Sequence, residues 1–181
     1  SLQVVKSKTP NFQTSNTNVS LHQSIRNMYS KEALKQLKTD FWNQFKVKMQ
    51  KTRSSNGRRM NWLAYPSEVK NIYIRVDADG HGARLTFDIQ GKDEGVRQIL
   101  WEQLYELKVV MESEMGTEGT WIENTSSPSV PQFNRIIWER TDLNFFKPED
   151  HAEIQNFLAD RLIHFDAFYQ EFKDILINLA M

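Results

Sequence analysis

Between Ser30 and Met49 the apolar residues Leu34, Leu37, Phe41, Phe45 and Met49 recur at intervals of three and four. That spacing predicts an amphipathic helix, with Ser30 as its N-cap and Trp42 beside the apolar stripe. The helix should fray before Ser54-Ser55-Asn56-Gly57, a loop by composition. A short strand is expected over Trp62-Leu63-Ala64-Tyr65, broken by Pro66-Ser67. From Ile72 the period drops to two. Ile72, Ile74, Val76 and Ala78 alternate with Tyr73, Arg75 and Asp77, and Ala83, Leu85, Phe87 and Ile89 alternate with Arg84, Thr86, Asp88 and Gln90. Two such runs around Asp79-Gly80-His81-Gly82 predict a half-buried antiparallel hairpin with a tight turn. Pairing Ile72 with Ile89, Ile74 with Phe87, Val76 with Leu85 and Ala78 with Ala83 sets apolar against apolar throughout. The same register places Asp77 opposite Arg84 and Tyr73 opposite Asp88. A slip of two residues would set Arg75 opposite Arg84, and facing like charges are unfavourable.

Beyond the hairpin, Asp93 can cap a second helix whose apolar stripe is Val96, Ile99, Leu100, Leu104, Leu107 and Met111, with Gly116 as its C-terminal stop. Thr120 to Glu123 is a short strand candidate, Asn124 to Gln132 an exposed loop, and Phe133 to Arg140 a further strand. Thr141 to Lys147 connects to a last helix, with Pro148 in its first turn. Along that helix Leu158, Leu162, Phe165, Tyr169, Phe172, Leu176 and Leu179 step alternately by four and three, a heptad seam. In a globular domain such a seam packs on a sheet or another helix, and a homodimer interface is the functional alternative. The expected fold is α+β: an antiparallel sheet of about four or five strands, three main helices packed on one face, and a long C-terminal helix.

Composition narrows this picture. The chain has 181 residues, of which 39% are hydrophobic and 12% aromatic, enough for one folded domain with a sizeable core. Residues 1–27 are polar and read as an arm or linker, with a capping box at Ser20-Leu21-His22-Gln23 starting a short helix to about Asn27. Residues 28–181 form the single α+β domain, and Met28 stands where a natural start would lie. Lys+Arg and Asp+Glu are both 23, so any nucleic-acid or membrane partner needs a local patch. Absence of cysteine removes disulfides, thiolate metal sites and cysteine nucleophiles. No apolar run approaches a membrane span, and no signal-peptide core is present. A cytoplasmic protein is expected.

Met28-Tyr29-Ser30-Lys31-Glu32, Phe41-Trp42, Gly57-Arg58-Arg59-Met60-Asn61-Trp62 and Ile72-Tyr73-Ile74-Arg75-Val76-Asp77-Ala78-Asp79 resemble a bacterial family known as domain of unknown function 4268. Arg135-Ile136 and Asp166-Ala167-Phe168 fit its later part, so the resemblance runs from about Met28 to Leu176. The resemblance implies no catalytic signature. Some relatives carry the domain behind a nuclease-like domain, a DNA-linked or defence context that transfers no activity.

Three constellations carry possible chemistry. A PD-(D/E)xK-type nuclease core would use Asp77 as first metal ligand and Asp88-Ile89-Gln90 as second motif, with Gln90 in place of the usual lysine. Two carboxylates holding Mg²⁺ would activate water against a phosphodiester. The hairpin register opposes this, because four residues of strand separate Asp77 from Asp88 by about 14 Å. The plainer reading pairs Asp77 with Arg84 and leaves Asp88 on a solvated face. The second constellation is basic: Lys46, Lys48, Lys51, Arg53, Arg58 and Arg59 occur with no acid between Asp40 and Glu68, and Trp62 and Tyr65 follow. Clustered cations beside aromatics bind phosphates and stack bases, whereas the plain alternative is a solvated helix end. The third is the polar hairpin face, where Tyr73, Arg75 and Arg84 are typical interface residues, and the plainer reading is a solvated face. His22, His81, His151 and His164 are scattered and suggest no metal site, with His164 placed to pair with Asp160. No HExxH or phosphate-loop motif occurs.

The expected function is a non-catalytic interaction module that self-associates through Leu158, Leu162, Phe165, Tyr169 and Phe172, or binds another protein. A nucleic-acid-binding accessory domain using residues 46–59 and a divergent metal nuclease are the alternatives. No cofactor is expected, and the balance leans away from an enzyme.

Overall fold

A computed structural model describes residues 29–181. The expected arm over residues 1–27 and its short helix lie outside the described residues. The chain divides into two units, residues 1–38 and 39–181. In the first, the Ala33 N–H donates to the Ser30 Oγ at 3.1 Å, so Ser30 is the expected cap of helix α1, Lys31–Met49. The remainder of α1 belongs to the second unit and buries Phe41, Phe45 and Met49.

The hairpin of strands β1 (Ile72–Asp79) and β2 (Gly82–Ile89) has the expected register at every pair, from Ile72 opposite Ile89 to Ala78 opposite Ala83. Asp79 pairs with Gly82, which leaves Gly80 and His81 as the turn. The His81 N–H donates to the Asp79 side chain at 2.8 Å, so the aspartate supplies the bond that shapes the turn. Gly82 has φ +131°, and a Cβ there would lie 2.0 Å from the Arg140 carbonyl oxygen. The hairpin turn is thus packed against the backbone at Arg140 and Thr141.

Strands β3 (Thr120–Thr125) and β4 (Phe133–Arg140) complete one four-stranded antiparallel sheet in the order β1-β2-β4-β3. One face carries Ile74, Leu85, Phe87, Ile136 and Trp138, all at most 3% exposed. The long C-terminal helix α4, His151–Leu179, lies against it: Phe165 meets Phe87 at 5.4 Å and Trp138 at 6.3 Å between ring centres. Helix α1 joins this layer through Phe41, whose ring meets Phe145 and His151 at 5.0 Å. A single 3₁₀ turn, Pro148–Asp150, leads into α4.

Three expectations need correction. The second helix is two: α2 (Glu94–Glu106) and α3 (Lys108–Met115) are divided at Leu107, whose N–H is shared between the Gln103 and Leu104 carbonyls. Among the described residues four helices therefore replace three. The buried stripe of α2 is Arg97, Leu100, Trp101 and Leu104, while Val96 and Ile99 are exposed. Arg97 can face inward because its guanidinium donates to the Gly91 carbonyl and to Gln132. The caps stand as expected: Asp93 accepts from the Val96 N–H at 3.1 Å, and Gly116 ends α3 at φ +71°. Finally, Trp62–Tyr65 form no strand. Trp62 is a bend, Leu63 and Ala64 form a turn and Tyr65 is irregular, and in this part of the chain the β pairing is a single bridge between Arg53 and Arg59.

Candidate functional site

The basic stretch begins in the last turn of α1, where Met49 is buried while Lys46 and Lys48 face solvent. The chain then reverses. Arg53 and Arg59 pair across an antiparallel bridge, the Ser54 N–H donates to the Arg58 carbonyl at 3.0 Å, and the Gly57 N–H returns to Ser54 at 2.8 Å. Gly57 takes φ +81°, a conformation glycine adopts without Cβ strain.

A carboxylate beneath the loop fixes it. Asp166 of α4 is 1% exposed and accepts from the Ser54 hydroxyl at 2.9 and 3.0 Å, the Ser55 N–H at 2.7 Å and the Tyr65 hydroxyl at 2.6 Å. Its oxygens are met by neutral donors rather than by a cation, a pattern that satisfies a buried carboxylate. Gln170 extends the network, donating to the Tyr65 oxygen at 2.9 Å and accepting from Asn56 at 3.0 Å. Burial, followed by the bond given to Asp166, pushes the Tyr65 hydroxyl well above the ordinary tyrosine range. Burial does the same to Tyr169, which donates to the Ser67 carbonyl.

Between α1 and the loop lies a groove of about 870 Å³. Lys46, Lys51, Arg53 and Arg59 line it, together with the amides of Gln50 and Asn61 and the apolar Val47, Met60 and Leu63. No carboxylate lines it. Among the described residues, Lys46, Lys51, Arg53, Arg58 and Arg59 form no ion pair, whereas Arg75, Arg84, Arg135, Arg140 and Arg161 each lie within 4 Å of an acid. Lys48 is turned away and donates to Asn156. Arg58 stands on the loop outside the groove lining. Trp62 is placed differently from the stacking role expected of it. It is 4% exposed and its indole N–H donates to the Thr52 carbonyl at 3.2 Å, so it forms the floor of the groove rather than a platform.

The polar sheet face holds the nuclease candidates apart. Asp77 pairs with Arg84 and Asp88 with Tyr73, four positions along the strands, or about 14 Å. Asp88 is not solvated, as the plainer reading had it. It is 0% exposed and takes two bonds from Arg135, at 2.7 and 2.8 Å, and one from Gln90 at 3.2 Å. The hydrogen bonds to Asp88 hold the Arg135 guanidinium above its usual range. Arg75 lies 3.9 Å from the same carboxylate and stacks over the Tyr73 ring at 4.2 Å. Arg84 reaches Asp77 at 3.4 Å but is closer to Asp79, at 2.9 Å. Burial alone would raise the Asp79 carboxyl, but the bonds from Arg84 and the His81 N–H outweigh it and hold the group low. Among the described residues no three His, Asp or Glu side chains gather as metal ligands. His164 lies 3.4 Å from Asp160, the expected surface pair.

Of the interface candidates, Leu158, Leu162, Phe165 and Tyr169 are all 0% exposed within one chain, and Phe172 is half-buried. Phe165 and Tyr169 of the seam pack on Phe87 of the sheet and on Tyr65, and α4 also lies against α2 and α3. Tyr73 and Arg75 remain exposed. No helix among the described residues is long and apolar enough to cross a membrane.

Asp166 is the residue that pattern reading undervalued. The available signal was an acid set directly between Phe165 and Phe168 on an otherwise apolar face. Comparison with known proteins finds no match among curated proteins or solved structures. The family model described as Domain of unknown function (DUF4268) matches residues 37–173, a span that contains the basic groove, the sheet and Asp166. The chain belongs to that family.

Proposed function

We propose that this domain is a nucleic-acid-binding module that holds phosphates in the groove between α1 and the Arg53–Arg59 loop. One observation carries the reading: five cations cluster at the groove and its loop without an ion-pair partner among the described residues. Unpaired cations held together repel one another, and an arriving polyanion relieves that repulsion while releasing its own counterions. The neutral charge of the whole chain is compatible with this, because the groove concentrates one sign locally. The self-associating module has less support, since Leu158, Leu162, Phe165 and Tyr169 of the seam are already buried in the fold. A two-carboxylate nuclease site on the hairpin is opposed by the separation of Asp77 and Asp88 and by the commitment of Asp88 to Arg135.

Anisotropy of a labelled oligonucleotide, titrated with the full chain across a range of salt, tests the proposal. Binding at low salt that weakens steeply as salt rises is expected, and Arg53→Glu, Arg58→Glu and Arg59→Glu together should reduce both affinity and slope. Absence of binding at low salt overturns it.

A further inference from the structure

We infer that the groove accepts an unpaired nucleotide of a single strand rather than the backbone of a duplex. This rests on the phosphate-binding reading above and adds what the rest of the cleft contributes. A surface that only neutralises a duplex backbone needs exposed cations and no apolar concavity. Here the cations surround one. Val47 is 67% exposed on the α1 wall, Met60 and Leu63 are half-buried opposite, and Met49 and Trp62 close the floor beneath them. A volume of about 870 Å³ lies within the range that encloses small organic groups, and so has room for a base with its sugar and phosphate.

The polar groups suit a base edge. The Gln50 side chain makes no hydrogen bond among the described residues, so its amide has both a donor and an acceptor to offer. Asn61 uses its oxygen to accept from the Ala64 N–H at 3.2 Å, which leaves its NH₂ group as a donor. In a duplex the base faces are stacked and their pairing edges engaged, so neither wall nor amides could be used. In a single strand both are accessible, and covering a base face with apolar side chains removes its surface from water whichever base it is. Arg53, Arg59, Lys46 and Lys51 would then take the phosphates on either side of the seated base.

The test compares three labelled probes against the full chain at one salt concentration: a short oligo-dT strand, its duplex with oligo-dA, and the same strand with abasic sites in place of thymidine. Oligo-dT should bind at least about tenfold more tightly than either of the others, in line with burial of one base face on the apolar walls. The double variant Arg53→Glu/Arg59→Glu should abolish that preference. Equal affinity for all three probes overturns the single-strand inference while leaving phosphate binding intact. A preference that survives in the double variant overturns it by placing the site elsewhere. No binding of any probe at low salt overturns both.

Discussion

The hydroxyl of Tyr65 donates to the carboxylate of Asp166 at 2.6 Å, and both groups are buried. This bond fixes the far end of the loop whose near end is held by Ser54 and Ser55 on the same carboxylate. One side chain of α4 thereby determines where the arginines of the groove stand.

Removing that carboxylate should strand three donors at once. Asp166→Ala leaves the Ser54 hydroxyl, the Ser55 N–H and the Tyr65 hydroxyl without their acceptor. At about 1 kcal/mol or more for each, the expected loss is about 3 kcal/mol, read as a lower denaturation midpoint in urea. A midpoint within error of the parent chain would show that the network does not stabilise the fold.

Tyr65 gives stability a dependence on alkaline pH. Its proton is kept in the fold beyond the pH at which a tyrosine of the unfolded chain ionises, near about pH 10. Above that pH the unfolded state loses a proton that the folded state retains. The contribution is therefore complete below about pH 10 and is lost as pH rises further. Tyr65→Phe should flatten part of the decline in thermal midpoint above pH 10, with Tyr169 accounting for another part.

Arg135→Ala should uncover a buried anion. Asp88 is 0% exposed and takes two of its bonds from Arg135, and Arg75 at 3.9 Å is a weaker partner. Stranding such a carboxylate costs about 3–5 kcal/mol. Replacing both members, as Asp88→Leu/Arg135→Leu, should recover much of that loss. Chemical denaturation of the two variants separates the outcomes, and equal stability of the single and double replacements would contradict the pairing.

Gly82→Ala should be disproportionate for the addition of one methyl group. The new Cβ would meet the backbone oxygen of Arg140 at 2.0 Å, at a φ of +131° that other residues avoid. The turn and the end of β4 cannot both keep their places, and a loss of about 3 kcal/mol is expected. Thermal unfolding measures it directly.

How far the sequence reveals this architecture depends on the range of the forces involved. The hairpin is legible because period-two alternation and the like-charge penalty act between residues close along the strands, and Ile72 to Ile89 therefore yields the correct register. Helix caps at Ser30, Asp93 and Gly116 are legible for the same local reason. The break at Leu107 is not, since Glu106-Leu107-Lys108 contains neither glycine nor proline. The inward face of α2 is not legible, because Arg97 reads as a solvent residue unless Gly91 and Gln132 are known to receive it. Trp62–Tyr65 has β-forming side chains, but it is held by bonds to Thr52 and Asp166 rather than by a neighbouring strand. The basic cluster was visible as composition, while its concavity depends on α4, more than a hundred residues downstream.

That distance bears on the order of assembly. Ser55 and its acceptor Asp166 are 111 residues apart. During synthesis every cation of the groove is made before the helix that arranges them, and the loop closes late because its contact spans most of the domain. A nascent or truncated chain ending before His151 would carry the charges of the groove without its shape. On the proposed single-strand reading, selective capture would be a property of the finished domain, and the incomplete chain would have only a basic peptide's indiscriminate attraction to polyanions.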